Sequence, residues 1–282
     1  MHSEEIIETQ RQDWNRVAPG WEKWDRSFEY NLAFINYRLV SDARLREGQR
    51  VLDLGSGTGY PALLAARAVG DRGRVLGLDL AEAMLAAARR KAKSVGLTNV
   101  TFQTADVTTL PFESESFDAV TTRFCLMFLP DIPKAVGQIS RVLKPGGYMA
   151  AAVWATPEKN PYLRIPMDVI KQFIDLPPPD PEQPGIFRLA KPGDLLAIAS
   201  RAGLGDLTDA ELSGGVAFDS SKDYVASLLE IAAPLQNLFA KLSPSQQEEA
   251  KTEIERRANQ YQKGSGIELP IMVRITAGRK FP

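Results

Sequence analysis

Gly55, Gly57 and Gly59 stand at alternate positions directly after the short apolar run Val51, Leu52 and Leu54, and the helix-forming stretch Ala62 to Val69 follows them. Glycine has no Cβ, so a turn built this way lets a ligand come close to the backbone. A turn that joins a strand to a helix also offers free N–H groups and the positive end of the helix dipole. Carboxylates recur at matching places along the chain. Asp79 ends the next apolar run, about twenty residues past Gly59, where an acid can accept hydrogen bonds from a ribose held on the first turn. Asp106 follows the third run and can take an amino group such as the N6 of adenine. Asp53 lies inside the first run, where an unpaired carboxylate would be costly, so it should face backbone donors or a ligand cation. Any one of these aspartates could be a cap or a turn residue. Three of them in step with three consecutive apolar runs and a glycine turn describe a ligand-binding edge.

The elements that would position these groups alternate in the manner of a parallel sheet with crossover helices. After the first strand come strands at 74–80, 99–104, 117–122 and 148–154, with helices over 81–95 and 132–143; Gly96 and Pro145-Gly-Gly mark turns. Four such repeats predict a doubly wound sheet with its ligand at the carboxyl ends of the strands. Residues 155–188 hold Pro177, Pro178, Pro179, Pro181 and Pro184, which predicts an irregular excursion with one helix near Leu163 to Ile174. A further crossover helix is expected over Pro192 to Ala202 and a sixth strand over Gly205 to Phe218. Helices should follow from Asp223 to about Leu242 and from Pro244 to Gln262, before a last strand from Leu269 to Gly278. Ser243 and Gln246 are spaced as a capping box, and Ala250, Ile254 and Ala258 form one apolar stripe.

Ahead of the first strand, a helix should open at Ser3, carry Ile7, Trp14 and Val17 on one stripe, and stop at Pro19-Gly20. A second helical pattern places Leu32, Ile35, Leu39 and Ala43 on one face. Trp21, Trp24 and Tyr30 either bury a small satellite core or form a lid over the ligand, and both can hold at once. The expected organisation is a helical lid over 1–47, a nucleotide-binding core over 48–156, a proline-rich insertion over 157–190, and the remaining strands over 191–282 with a helical lid insertion at about 221–263.

Composition narrows the classes. A chain of 282 residues allows one or two domains, and a net charge of −1 provides no general field for nucleic acid or an anionic membrane. The single cysteine, Cys125, cannot form an internal disulfide and sits among Phe124, Leu126 and Met127, which suits a buried structural thiol in a reducing compartment. The start Met-His-Ser-Glu-Glu-Ile-Ile lacks a signal-peptide pattern, and no apolar run approaches the roughly 18 residues of a membrane span. A cytoplasmic protein, monomer or homodimer, without a metal site and without a nucleic-acid partner is expected.

Two nucleotide ligands compete for the glycine turn. A dinucleotide fingerprint, Gly-x-Gly-x-x-Gly, wants glycine at the sixth position, where this chain has Tyr60, with glycine at the fifth instead. That spacing disfavours NAD. An adenosine with an amino-acid tail needs only close backbone approach, acceptors for amino and ribose groups, and little positive charge.

VLDLGSGTGYP, GLDLAEAML, the Ala105-Asp106-Val107 step, LPFESESFDAVTTRF and RVLKPGGYMAAAVW resemble the successive signature segments of class I S-adenosylmethionine-dependent methyltransferases, in particular the ubiquinone/menaquinone-biosynthesis type. The resemblance covers about Gln49 to Trp154. It implies a Rossmann-like seven-stranded α/β sheet whose last strand is antiparallel, with S-adenosylmethionine as cofactor. It also implies that Gly55, Gly57 and Gly59 approach the methionine moiety, oriented with help from Asp53, and that Asp79 holds the ribose hydroxyls. Leu80 would pack on adenine, Asp106 and Val107 would meet its edge, and Arg123 and Phe124 would border the methyl group. Many relatives carry a histidine or aromatic pair near Met127-Phe128, and this chain does not.

The chemistry implied is in-line displacement at a sulfonium methyl, for which positioning alone can lower a barrier by about 7–11 kcal/mol at the limit. A catalytic base is optional. The only histidine, His2, lies at a terminus expected to fray, and Tyr30 and Tyr162 are the candidate bases. An apolar pocket of Trp21, Trp24, Phe124, Met127 and Trp154 would favour a small, mostly apolar or aromatic acceptor methylated on carbon, oxygen or nitrogen. The place of the Asn/Asp-Pro-Pro-Tyr/Phe segment of adenine-N6 methyltransferases reads Thr-Arg-Phe-Cys-Leu-Met, and one cysteine is too few for the usual arsenite chemistry. A nucleic-acid or protein methyltransferase and a non-catalytic cofactor-binding partner protein are the alternatives.

Overall fold

The computed structural model describes residues 3–178, 180 and 182–281; His2, Pro179 and Pro181 lie outside them. Three helices come first, α1 (Ser3–Lys23), α2 (Asp25–Asn31) and α3 (Ala33–Asp42). The core then alternates β1 (Arg50–Leu54), α4 (Ala62–Val69), β2 (Arg74–Asp79), α5 (Glu82–Ser94), β3 (Val100–Thr104), β4 (Phe117–Arg123), α6 (Ile132–Val142) and β5 (Leu143–Trp154). After α7 (Pro161–Ile170) and α8 (Asp194–Arg201) come β6 (Leu204–Phe218), α9 (Ser221–Ile231), α10 (Ala233–Phe239) and α11 (Pro244–Ala258). The two-residue β7 (Gln262–Lys263) and β8 (Gly266–Lys280) end the described chain.

The strand order is β3-β2-β1-β4-β5-β8-β6, with β7 paired to the start of β8. β1 to β5 are mutually parallel, whereas β8 runs antiparallel between β5 and β6. The short β7 makes eight strands of the seven expected. Val51, Leu52 and Leu54 of β1 are fully buried because helices cover both faces of the sheet, which is why that strand reads as a continuous apolar run. The order reverses between β1 and β4, so the crevice at their carboxyl ends is the topological switch point, where open α/β sheets bind ligands. The glycine turn leaves β1 there, and Phe124 leaves β4 beside it.

Two expected boundaries are corrected. α1 does not stop at Pro19-Gly20 but continues to Lys23. Pro19 removes one backbone donor, yet tertiary packing holds the helix together across it. The partner is the end of α9: a Cβ built on Gly20 would lie 2.2 Å from the carbonyl oxygen of Glu230, so this glycine permits close helix packing rather than a stop. The stretch expected as one helix from Asp223 to Leu242 is two, broken at Ala232, because Pro234 lacks the N–H that would reach the Glu230 carbonyl. α11 begins with the expected capping box of Ser243 and Gln246, and Ala250, Ile254 and Ala258 are buried. Among the described residues no helix is long and apolar enough to cross a membrane.

A methyl group at position 20 must push α1 and α9 apart. Gly20→Ala should lower unfolding stability by about 1–3 kcal/mol in urea titrations, the usual range for overpacking. An unchanged midpoint would contradict this reading of the packed proline-glycine segment.

Candidate functional site

The glycine turn is held in a conformation that side chains with a Cβ rarely adopt. Gly55, Gly57 and Gly59 have φ of +67°, +51° and +116°. A Cβ on Gly57 would point into open space, while one on Gly55 would lie 2.5 Å from the Cβ of Cys125. Ser56 stitches the turn to its surroundings: its N–H donates to the Leu78 carbonyl at 2.9 Å, and its carbonyl accepts from the Gly59 N–H at 2.8 Å. Its hydroxyl donates to Asp53 Oδ2 at 2.7 Å.

Asp79 joins this turn to the next. Oδ2 accepts from the Gly57 N–H and Oδ1 from the Ala81 N–H, both at 2.9 Å. Each oxygen keeps further acceptor capacity, so the carboxylate can still take two hydroxyl donors from a ligand. Burial raises its pKa, and the backbone donors of Ala81, Gly57 and Leu80 oppose that shift. Leu80 is partly exposed beside it.

Asp53 is fully buried, with its two oxygens accepting from the hydroxyls of Ser56 and Thr121, each at 2.7 Å. Desolvation pushes its pKa up to about 6, against the pull of those two hydroxyls and of the Arg123 charge. It thus faces donors, as its place in the strand demanded: two side-chain hydroxyls and the backbone of Ala62. Asp106 caps a 310 turn over Val107–Thr109, accepting from the Thr108 N–H and hydroxyl at 2.8 Å each. Val107 is buried behind it.

At the end of β4, the Phe124 N–H donates to the Ala152 carbonyl at 2.8 Å, and its φ of +56° turns the chain sharply. The Phe124 ring lies flat on Trp154, 4.1 Å between centroids and 3° between planes. Aromatic contacts then run from Trp154 to Tyr162, from Tyr162 to Phe218, and from Phe218 to Trp24. Arg123 donates through Nη1 to the Asn36 side-chain oxygen at 2.8 Å. Burial pulls its guanidinium down to about 10, while Asp53 and Asp25 oppose the shift.

The N-terminal helices lie across these strand ends. The Asp25 carboxylate accepts from the Thr58 hydroxyl at 3.2 Å and pairs with Lys91, and Glu29 accepts from the Tyr60 hydroxyl. Lys91 also sits 4.7 Å from the centre of the Tyr60 ring. Burial lowers the Lys91 pKa, and Asp25 opposes that. Further along, Gln10 donates to the Phe128 carbonyl at 2.6 Å and the Ala83 N–H donates to Asn15 at 2.9 Å. The aromatic residues of this segment also pack a satellite core: Trp14 and Trp21 lie against Val17, Ala18, Ala81, Met84 and Ala233, while Trp21 also contacts Phe28 of the main core and donates its indole N–H to the Ile231 carbonyl.

The structure thus gathers Asp53, Gly55, Gly57, Gly59, Asp79, Leu80, Arg123 and Phe124 around one crevice, with Asp106 and Val107 at the end of the neighbouring β3. Of the expected pocket residues, Trp24, Phe124 and Trp154 join one aromatic chain, whereas Trp21 packs between the main and satellite cores and Met127 is fully buried within a 310 turn, Leu126–Phe128. Tyr30 is corrected: it is 80% exposed on the outside of α2 and faces no site. Tyr162 is buried in the aromatic chain, and burial pushes its phenol above its ordinary range, so it is a neutral wall and a poor base. Sequence reasoning missed Asp25, Glu29, Asn36 and Lys91, whose partners lie 33, 31, 87 and 66 positions away in sequence. Ser56 and Thr58 could have been found, because they are the side chains between the glycines.

This arrangement can hold an adenosine with an amino-acid tail: an open cradle at Gly57 and a carboxylate with acceptor capacity to spare at Asp79. A family model described as a methyltransferase domain matches residues 51–147. The ubiquinone/menaquinone biosynthesis C-methyltransferase UbiE of Vibrio campbellii is 40% identical over 121 residues, 43% of this chain and 47% of that protein, so the chain spans about half the length of this relative. The demethylmenaquinone methyltransferase of Listeria monocytogenes serotype 4b is 31% identical over 193 residues, 62% of this chain and 81% of that protein. Among solved structures, the YcgJ protein of Bacillus subtilis matches with a TM-score of 0.57 at 19% identity, covering 90% of this chain and 99% of that one, which shows the fold.

The Asp53 pKa makes a pH test possible. A carboxyl held at about 6 in the folded chain, against an ordinary value of 3.8, favours folding most below the lower value. That contribution is lost as pH rises through the upper one. In Asp53→Asn the side chain stays neutral, so its stability relative to the wild type should improve by about 1–3 kcal/mol from about pH 4 to about pH 7. Urea midpoints of both proteins at the two pH values measure this; a difference that does not move with pH would remove the assignment.

Proposed function

The chain belongs to the class I S-adenosylmethionine-dependent methyltransferases of the ubiquinone/menaquinone-biosynthesis type, and from this premise we propose that it transfers a methyl group in line to a small, apolar or aromatic acceptor of the quinone or quinol class. The observation that carries the cofactor side is Asp79, bridging the Gly57 and Ala81 N–H groups while keeping acceptor capacity for two ribose hydroxyls. Asp106 and Val107 border the adenine in this reading, and Leu80 packs on its face. Bound in this crevice, S-adenosylmethionine supplies an electrophilic methyl on a sulfonium sulfur.

The chain's own residues then act by position. Asp79 and the glycine turn fix the nucleoside end, while Asp25, Glu29 and Lys91 keep the N-terminal helices closed over the glycine turn. The stacked Phe124 and Trp154, backed by Tyr162 and Phe218, exclude water from the side where an acceptor must enter. A flat acceptor fits such a wall, since offset-stacked and edge contacts to its rings are favourable. The names of the Vibrio and Listeria relatives support a quinone-type acceptor. Residues 1–47 and 221–263 serve as the two lid segments in this reading, since α1 meets α5 on one side and α9 on the other.

Asp79→Ala should weaken S-adenosylhomocysteine binding at least ten-fold, the loss expected when two charge-assisted hydrogen bonds disappear. Titration calorimetry measures it, and an unchanged dissociation constant would sink the ribose assignment. For the acceptor, radiolabelled methyl transfer to naphthoquinols is the expected result. Transfer to tRNA, DNA or protein with none to hydrophobic small molecules would overturn that part.

A further inference from the structure

Two arginines illustrate what burial demands. Arg274 of β8, with its side chain 6% exposed, is satisfied by two carboxylates: Nη2 donates to Asp209 at 2.6 Å and Nη1 to Glu211 at 3.0 Å. Arg123 is partly buried at the carboxyl end of β4 and has nothing equivalent. Its one hydrogen bond goes to a neutral amide, the Asn36 side chain, and among the described residues no carboxylate stands within ion-pair distance of it. A guanidinium presents five N–H donors in a planar fork suited to a carboxylate or another oxyanion. A cation taken out of water without a partner is expensive, and here burial does pull the group down to about 10.

The neighbouring acids do not relieve it. Asp53 helps only at a distance, because both its oxygens are engaged by Ser56 and Thr121, and Asp25 is engaged by Thr58 and Lys91. The buried Lys91 charge adds like-charge repulsion rather than relief. The incomplete cation therefore stands at the switch-point crevice, between the lid residue Asn36 on one side and the Phe124–Trp154 stack on the other.

We propose that Arg123 is an anion clamp whose fork receives the carboxylate or oxyanion of a bound ligand, with Asn36 of the lid holding the guanidinium in place. The assignment rests on the methyl-transfer reading above. Two ligands present the required chemistry: the amino-acid tail of the cofactor, which ends in a carboxylate, and an acceptor ionised at oxygen. In the second case the clamp lowers the acceptor's pKa so that its proton is already lost to water before the transfer, and the phenolate it holds is a better nucleophile than the phenol. It also couples ligand to lid, since the guanidinium that grips the anion is the one that Asn36 of α3 grips.

Arg123→Gln, Arg123→Lys and the wild type should be titrated with S-adenosylhomocysteine, with 5′-methylthioadenosine, which lacks the amino-acid tail, and with 4-nitrophenolate after loading with S-adenosylhomocysteine. If the clamp holds the cofactor tail, Arg123→Gln weakens S-adenosylhomocysteine about ten-fold or more and leaves methylthioadenosine unchanged. If it holds the acceptor, the nucleoside ligands are unaffected; 4-nitrophenolate then binds about ten-fold more weakly and its pKa on the protein rises. Lysine, which keeps the charge without the fork, should recover part of either effect. Unchanged binding of both S-adenosylhomocysteine and 4-nitrophenolate overturns the clamp, as does equal weakening of methylthioadenosine, which would make Arg123 a support for the whole site. A wild type that binds neither nucleoside overturns the methyl-transfer reading itself and the clamp with it, whereas wild-type methylthioadenosine binding isolates the failure to Arg123.

Discussion

The carboxylate of Asp79 is the tie on which the site depends. It accepts the N–H of Gly57 on one turn and of Ala81 on the next, so two adjacent βα connections become one rigid edge. Hydrogen bonds to a charged acceptor are shorter and stronger than neutral ones, and backbone donors add no side-chain freedom to be lost. Burial opposes the charge, and the backbone donors answer that opposition. The turn that results has its glycines at positive φ, its Ser56 hydroxyl on Asp53, and open space over Gly57. Everything else in the crevice is placed relative to this edge, because β1 and β2 carry both ends of the tie.

A second layer of electrostatics closes the crevice from above. Asp25, Glu29 and Asn36 on the N-terminal helices meet Thr58, Lys91, Tyr60 and Arg123 on the sheet side. Ion pairs at a surface contribute little, but the Lys91–Asp25 pair has side chains only 14% and 22% exposed, where solvent screens less. These contacts are polar and few. The apolar anchors of the same segment, Ile35 and Leu39, are fully buried and hold its base on the core. The segment therefore combines an apolar root with a polar rim.

How much of this was legible follows from where each signal lies. Most core strands and helices could be read within a residue or two because each carries its own periodicity, but β5 begins at Leu143 and runs through the expected Pro145-Gly-Gly turn, and β8 begins three residues before the expected Leu269. The glycine turn and its aspartates were legible because they are local: Asp53, Asp79 and Asp106 each follow from a strand and its exit. Pro19-Gly20 misled because local propensity was overruled by the packing of Gly20 on the Glu230 carbonyl. Tyr30 misled for a related reason, since neighbouring aromatics in sequence diverge on a helix, and this one faces outward. The partners across the N-terminal helices were silent, because no rule of spacing joins Asp25 to Lys91 or Asn36 to Arg123. Only the topology brings them together.

The division between legible and silent residues matches a division of chemical labour. Holding a nucleoside needs backbone groups and carboxylates at strand ends, which a short local pattern encodes. Choosing an acceptor would need walls from distant segments, and the aromatic chain near these strand ends, Trp24, Phe124, Trp154, Tyr162 and Phe218, is drawn from α2's approach, two strand ends, α7 and β6. Such walls supply no proton acceptor: Tyr162 is held neutral by burial, and the Cys125 thiol is pushed up to about 12 by burial beside the site aspartates. Acceleration in a crevice of this kind comes from alignment and exclusion of water, which well-oriented pairs can turn into many kcal/mol. An acceptor that arrives already ionised at oxygen needs no base before the transfer, so alignment is what the protein must supply to that step.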